Sequence, residues 1–72
     1  MQSQLENMET IPIISNKTVY TISLIEKETG SNYNMFANLY KKGEKMPLAG
    51  TCFKHTEQTS TIIEWAKQHI QN

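Results

Sequence analysis

The chain has 72 residues and a mass of 8.3 kDa, which allows one small domain and excludes a two-domain enzyme. Hydrophobic residues make up 38% and charged residues 19%, with a mean hydropathy of −0.54, so the chain is apolar enough to fold yet thin in core-forming side chains. Seven Lys balance seven Glu, and neither Arg nor Asp occurs. This removes a long-range field for polyanions and the side chain best suited to grip phosphate or guanine edges with two hydrogen bonds.

A core of this size supplies roughly 3 to 5 kcal/mol and ordinarily needs a further staple. Cys52 is the only cysteine, so an internal disulfide is excluded, and Cys52, His55 and His69 fall one ligand short of a closed zinc site. No metal or cofactor is expected. Self-association into a homodimer, or docking on a partner, is the staple that remains. The N-terminal stretch has neither a basic segment nor an apolar one, and no run approaches the roughly 20 apolar residues of a membrane span, so a cytoplasmic protein is expected. The lone cysteine agrees with a reducing compartment. The excess of Lys, Asn and Ile over Arg fits a coding sequence rich in A and T, of the kind frequent in phages and other mobile elements.

Taken in order, residues 1–9 are polar apart from Leu5 and Met8 and read as a flexible arm, with a single domain over 10–72. Thr10 to Ser15 is a short apolar run in which Pro12 cannot donate to a ladder, which makes it an edge strand or an extended lead-in. Thr18 to Glu26 alternates, with Tyr20, Ile22 and Leu24 on one face and Val19, Thr21, Ser23 and Ile25 on the other. Gly30 then marks a turn. The next alternating run is Asn32 to Lys41, with Tyr33, Met35, Ala37 and Leu39 as its core set. A second turn centres on Gly43, and a last strand spans Leu48 to Lys54, with a bulge expected at Gly50.

From Thr56 the period changes to 3.6, with Ile62, Ile63, Trp65, Ala66, His69 and Ile70 on one side. Thr56, Thr59, Ser60 and Thr61 all suit an N-cap, Thr56 and Thr59 best. Trp65 falls where a main core anchor would sit. Strands followed by one helix predict an α+β domain: a three- or four-stranded antiparallel meander packed on one face by a single C-terminal helix.

That architecture leaves the other sheet face open. Asn34, Phe36, Asn38 and Tyr40, with Thr21 and Ser23 from the neighbouring strand, make it aromatic, polar and uncharged. Such a face suits another protein, because interfaces concentrate aromatics and shed Lys and Glu. It also suits unpaired bases, through stacking on Phe36 and Tyr40 and amide contacts from the asparagines. Ordinary cross-strand packing accounts for the same residues without any ligand. Lys41, Lys42 and Lys45 cluster at the Gly43 turn, with Lys54 expected nearby, as a set for phosphate contact. Hairpin-tip lysines also serve simply to block edge pairing.

Cys52 and His55 stand three apart, but a nucleophile needs an orienting group and a water-excluding cleft, so Cys52 reads as a small buried hydrophobe and no catalytic residue is assigned. The function expected is a non-enzymatic module, regulatory or inhibitory, that binds a larger protein through the open sheet face. Nucleic-acid binding through the same face and the turn lysines is the alternative, weakened by the absent Arg.

Overall fold

A computed structural model describes residues 7–70. The period-two runs form four strands, β1 (Asn7–Ser15), β2 (Thr18–Glu26), β3 (Met35–Lys41) and β4 (Ala49–Phe53), and the period-3.6 run forms α1 (Thr59–Gln68). The strands make one antiparallel sheet in the order β1-β2-β3-β4, so each pairs with its neighbour in sequence. This is the expected α+β meander, with four strands.

Connections are short, and the backbone shows how each is made. Asn16 and Lys17 join β1 to β2 as a two-residue turn with both φ angles positive, 52° and 67°. That geometry matches the twist of the flanking strands. Gly30, at φ 78°, lies in the β2–β3 loop, and Gly43, at φ 88°, lies in the turn where the Glu44 N–H donates to the Lys41 carbonyl at 3.0 Å. Both glycines occupy a left-handed region that a side chain would strain.

The alternation sorts side chains onto two faces. One carries Ile13, Tyr20, Ile22, Leu24, Ala37 and Leu39, all buried, with Ile11, Met35 and Phe53 packed around them. Against this face α1 places Ile62 and Ala66, and Ile70 just beyond its end completes the core. Ile22, Leu39 and Ile62 are the largest side chains sealed completely. Each such burial contributes about 1.5 to 3 kcal/mol, which makes these three the centre of the fold.

Several expectations are corrected. The first strand begins at Asn7, not Thr10, because Met8 to Thr10 find partners along the full length of β2 (Met8↔Ile25, Glu9↔Leu24, Thr10↔Ser23). The expected arm therefore contributes three residues to the sheet, and its remainder, 1–6, lies outside the described residues. Tyr33 is not a core residue: it precedes β3, is 55% exposed, and its N–H donates to the Ser31 hydroxyl at 3.1 Å. Gly50 makes no bulge. Its register with Asn38 is regular, and an added Cβ would stand 2.7 Å from Asn38 Oδ1, so glycine is there because the amide lies over it.

The helix starts at Thr59, and none of the four candidates caps it. Gln58 holds the N-cap position with extended backbone, accepting at its carbonyl from Thr61 and Ile62, but its side chain caps nothing. Trp65 is half-buried at the flank of the core, edge-on to Phe53 with ring centroids 5.9 Å apart and tilted against His69 at 5.5 Å. The stripe runs through Ile62, Ala66 and Ile70 instead, which rotates Trp65 toward the edge of the helix.

Candidate sheet-face interface

The face opposite α1 is built entirely by strand alternation. Following the register across the sheet gives four rows: Met8, Ile25, Phe36 and Cys52; Thr10, Ser23, Asn38 and Gly50; Pro12, Thr21 and Tyr40; and Ile14 with Val19. None of these thirteen residues is charged, although the chain carries fourteen charged side chains. An antiparallel sheet that merely faces water alternates apolar inward with polar and charged outward, so the exclusion of charge sets this face apart.

Its relief is uneven. The row through Phe36 and the row through Tyr40 stand as apolar and aromatic ridges, while Thr10, Ser23 and Gly50 leave a shallower band between them. Asn38 lies in that band with its amide over Gly50. The side chains of Thr10, Ser23 and Asn38 make no hydrogen bond to any described residue, so their donors and acceptors are available to a ligand. Met8 and Ile14, at 67% and 73% exposure, are among the most exposed large hydrophobics and lie at opposite ends of the face on β1.

Five of the six residues expected to share this face do so. Tyr40 stands opposite Thr21, Asn38 opposite Ser23, and Phe36 opposite Ile25. Asn34 lies one residue before β3. Its carbonyl accepts from the Lys27 N–H at 3.0 Å, and its Oδ1 is buried without a hydrogen-bond partner. The expected run begins at Asn32, three residues before the strand does. Cys52, expected in the core, is exposed beside Phe36 on the outer face, because β4 pairs Thr51 with Ala37 and that register turns residue 52 outward. Met8, Thr10, Pro12, Ile14, Val19, Ile25 and Gly50 complete the face. Alternation already puts Val19 and Ile25 on this side, though the expected interface omits them; Pro12 and Ile14 share the alternation of the run from Thr10, while Met8 falls in the expected arm.

The lysines split between the two ends of the meander. The β1–β2 turn and the β3–β4 loop lie at one end, tied together where the Lys42 N–H donates to the Val19 carbonyl at 3.0 Å. Lys17, Lys41, Lys42 and Lys45 gather there against one carboxylate, Glu44, and none of these lysines pairs with a carboxylate among the described residues. Lys54 is at the other end, with its Nζ 5.6 Å from the Tyr33 ring centroid, because β4 carries it the length of the sheet away. That end holds Glu9, Glu26, Glu28 and Glu57 against Lys27 and Lys54. A chain of zero net charge is therefore positive at one end of its strands and negative at the other.

Elsewhere the chemistry is sparse. A depression of about 400 Å³ is bordered by Met8, Glu9, Leu24, Glu26 and Met35, a lining that pairs carboxylates with apolar groups but offers no nucleophile. Among the described residues no cluster of His, Cys, Asp and Glu has the numbers to hold a metal ion, and no helix is long and apolar enough to cross a membrane. No family model matches the chain, and no curated protein or solved structure is significantly similar to it.

Proposed function

We propose that the chain is a small non-enzymatic binding module, a regulatory or inhibitory factor of the kind phages and mobile elements encode, that acts in the cytoplasm by covering part of a larger protein. The observation that carries this reading is the uncharged outer face, thirteen residues across four strands. Interface cores lose Lys and Glu and gain aromatics because desolvating a charge costs more than it returns, whereas Phe and Tyr bury large area at little entropic cost. Phe36 and Tyr40 flank Asn38 on the same strand and supply the anchors, with Thr21 and Ser23 beside them as hydrogen-bonding groups.

The test begins with capture of partners from a bacterial lysate, with and without nuclease, followed by affinity measurement on whatever protein is retained. Replacing Phe36 and Tyr40 together with Ala removes two outward rings and no core contact. The double variant is expected to stay folded by circular dichroism and to lose about 30-fold or more in affinity, as roughly 1 to 2 kcal/mol per anchor implies. Unchanged affinity in a folded double variant would reject the face.

Lys17, Lys41, Lys42 and Lys45 favour a second reading, a nucleic-acid partner that crosses the same face. That reading requires nucleic acid in the captured material and an affinity that falls steeply with salt as counterions are released. One observation weighs against it, the absence of Arg; Lys27, whose Nζ lies 6.0 Å from the Phe36 ring centroid, is a cation at the edge of the face itself.

A further inference from the structure

We infer that the tip of the sheet formed by the β1–β2 turn and the β3–β4 loop docks on an anionic lipid surface. This docking lies beyond the function proposed above, because it uses the end of the strands and leaves Phe36, Asn38 and Tyr40 to a protein target.

Two kinds of side chain meet at this tip. The first is cationic: Lys17, Lys41, Lys42 and Lys45, all exposed, stand against one carboxylate, Glu44. The second is apolar. Among the described residues five large hydrophobics are exposed, and three of them, Ile14, Met46 and Leu48, belong to this end, at 73%, 77% and 45% exposure. Ile14 stands next to last in β1, and Met46 and Leu48 bracket Pro47 in the β3–β4 loop. None of the three contributes to the core.

Topology sets turn and loop side by side, since an antiparallel meander returns every second connection to the same end. Backbone hydrogen bonds hold them there. The Lys42 N–H donates to the Val19 carbonyl at 3.0 Å, and the Leu48 N–H donates to the Leu39 carbonyl at 2.6 Å. The tip is thus a fixed platform from which charged and apolar side chains reach solvent together.

The residue types select the partner. Lysine carries a point charge on a flexible stem and lacks the planar fork that fixes a guanidinium on one phosphate, so lysines without arginine suit a fluid array of anionic headgroups. Exposed apolar side chains among them suit the same partner, because a bilayer holds hydrocarbon directly beneath its headgroup charge. A nucleic-acid backbone offers the charge without that layer. At the opposite end of the strands Glu9, Glu26, Glu28 and Glu57 outnumber Lys27 and Lys54, so a chain of zero net charge meets an anionic surface tip first.

Neither signal suffices alone. A lysine beside an anionic leaflet raises partitioning about fivefold, so four lysines less one glutamate give about 100-fold. Burying Met46 or Leu48 in the interface adds about tenfold each. Together they give weak, reversible docking, as expected where two modest signals combine.

Flotation of the full chain with vesicles tests the proposal, one set of phosphatidylcholine alone and one an equal mixture of phosphatidylcholine and phosphatidylglycerol. The chain is expected to float with the mixed vesicles at low salt, to stay behind with phosphatidylcholine alone, and to release as salt screens the lysines. Lys42→Gln with Lys45→Gln is expected to lower partitioning about 25-fold, and Met46→Ser with Leu48→Ser about 100-fold, with circular dichroism reporting a folded domain. Should Leu48→Ser disturb β4, Met46→Ser alone makes the test at about tenfold. No flotation with the mixed vesicles overturns the proposal. Partitioning that the glutamine variant loses and the serine variants keep also overturns it, and leaves these lysines to a nucleic acid. Phe36→Ala with Tyr40→Ala is expected to float as the native chain does, so failure of the lipid contact and failure of the sheet-face reading are told apart.

Discussion

At the level of single residues, the helix start is the clearest place where sequence and structure part company. Four hydroxyl residues crowd this region, yet the position with N-cap geometry is Gln58, φ −75° and ψ 142°, whose long side chain makes no capping bond. The reason is spatial. Burial of Ile62 and Ala66 fixes the rotation of α1, and the connector from Phe53 fixes where its first turn begins. Packing against the sheet sets the start and the hydroxyls one to three residues on are carried inside the helix. A short acceptor at residue 58 would satisfy an N–H that is now left to water, so Gln58→Ser is expected to stabilise the domain by about 1 kcal/mol, which for this size raises the melting temperature by about 4 to 8 °C. A thermal melt checks it, and an unchanged or lower midpoint would mean that the first turn does not limit stability. Asn34 and Cys52 teach a related lesson. Alternation gives the face of a residue only inside a strand of known limits and register, and neither the start of β3 nor the pairing of β4 is written in local pattern.

At the level of elements, the strong alternation was enough. β2 runs from Thr18 to Glu26 as its pattern implies, and the faces of β2 and of β3 from Met35 onward follow from residue type alone. β1 was harder to read, since Pro12 and the polar Asn7 to Thr10 argue against a long strand; only the presence of β2 beside it makes the pairing favourable. Pro12 is tolerable because β1 is an edge, where one side of the ladder has no neighbour. The hairpin joining the two strands carries a cost that a substitution can remove. Lys17 holds φ 67°, a conformation that disfavours L-residues by roughly 1 to 2 kcal/mol, and Asn16 before it tolerates the left-handed region well. Lys17→Gly converts the turn to Asn-Gly and is expected to raise stability by about 1 kcal/mol, with the gain reduced by the extra freedom of glycine in the unfolded chain. Urea denaturation would show a higher midpoint at constant slope. A lower midpoint would mean that the lysine makes a compensating contact across the hairpin.

At the scale of the whole molecule, the small core and the uncharged face belong to one argument. Among the described residues nine buried hydrophobics form the core, two of them alanines, and a single helix covers only one side of the sheet. With roughly 3 to 5 kcal/mol available to a core this small, Leu39→Ala, which typically costs 2 to 5 kcal/mol at a fully buried site, removes most of the margin. A protein so close to its threshold gains from whatever binds its folded form, and the outer face is where binding would act. Fold class and the aromatic strand were legible in the sequence because they rest on local periodicity. The full extent of the face and the segregation of lysine from glutamate were not, because they depend on which loops the meander brings to the same end. If a larger protein covers the face, its binding adds to the stability of the folded chain, since only folded chains present the face. The melting temperature of the native chain is then expected to climb by a few degrees when the captured partner is present in excess, while the chain with Phe36→Ala and Tyr40→Ala melts at the same temperature with and without it. Calorimetry with and without the partner checks this: a shift of the same size in the double variant would show that the partner is held elsewhere than on the sheet face.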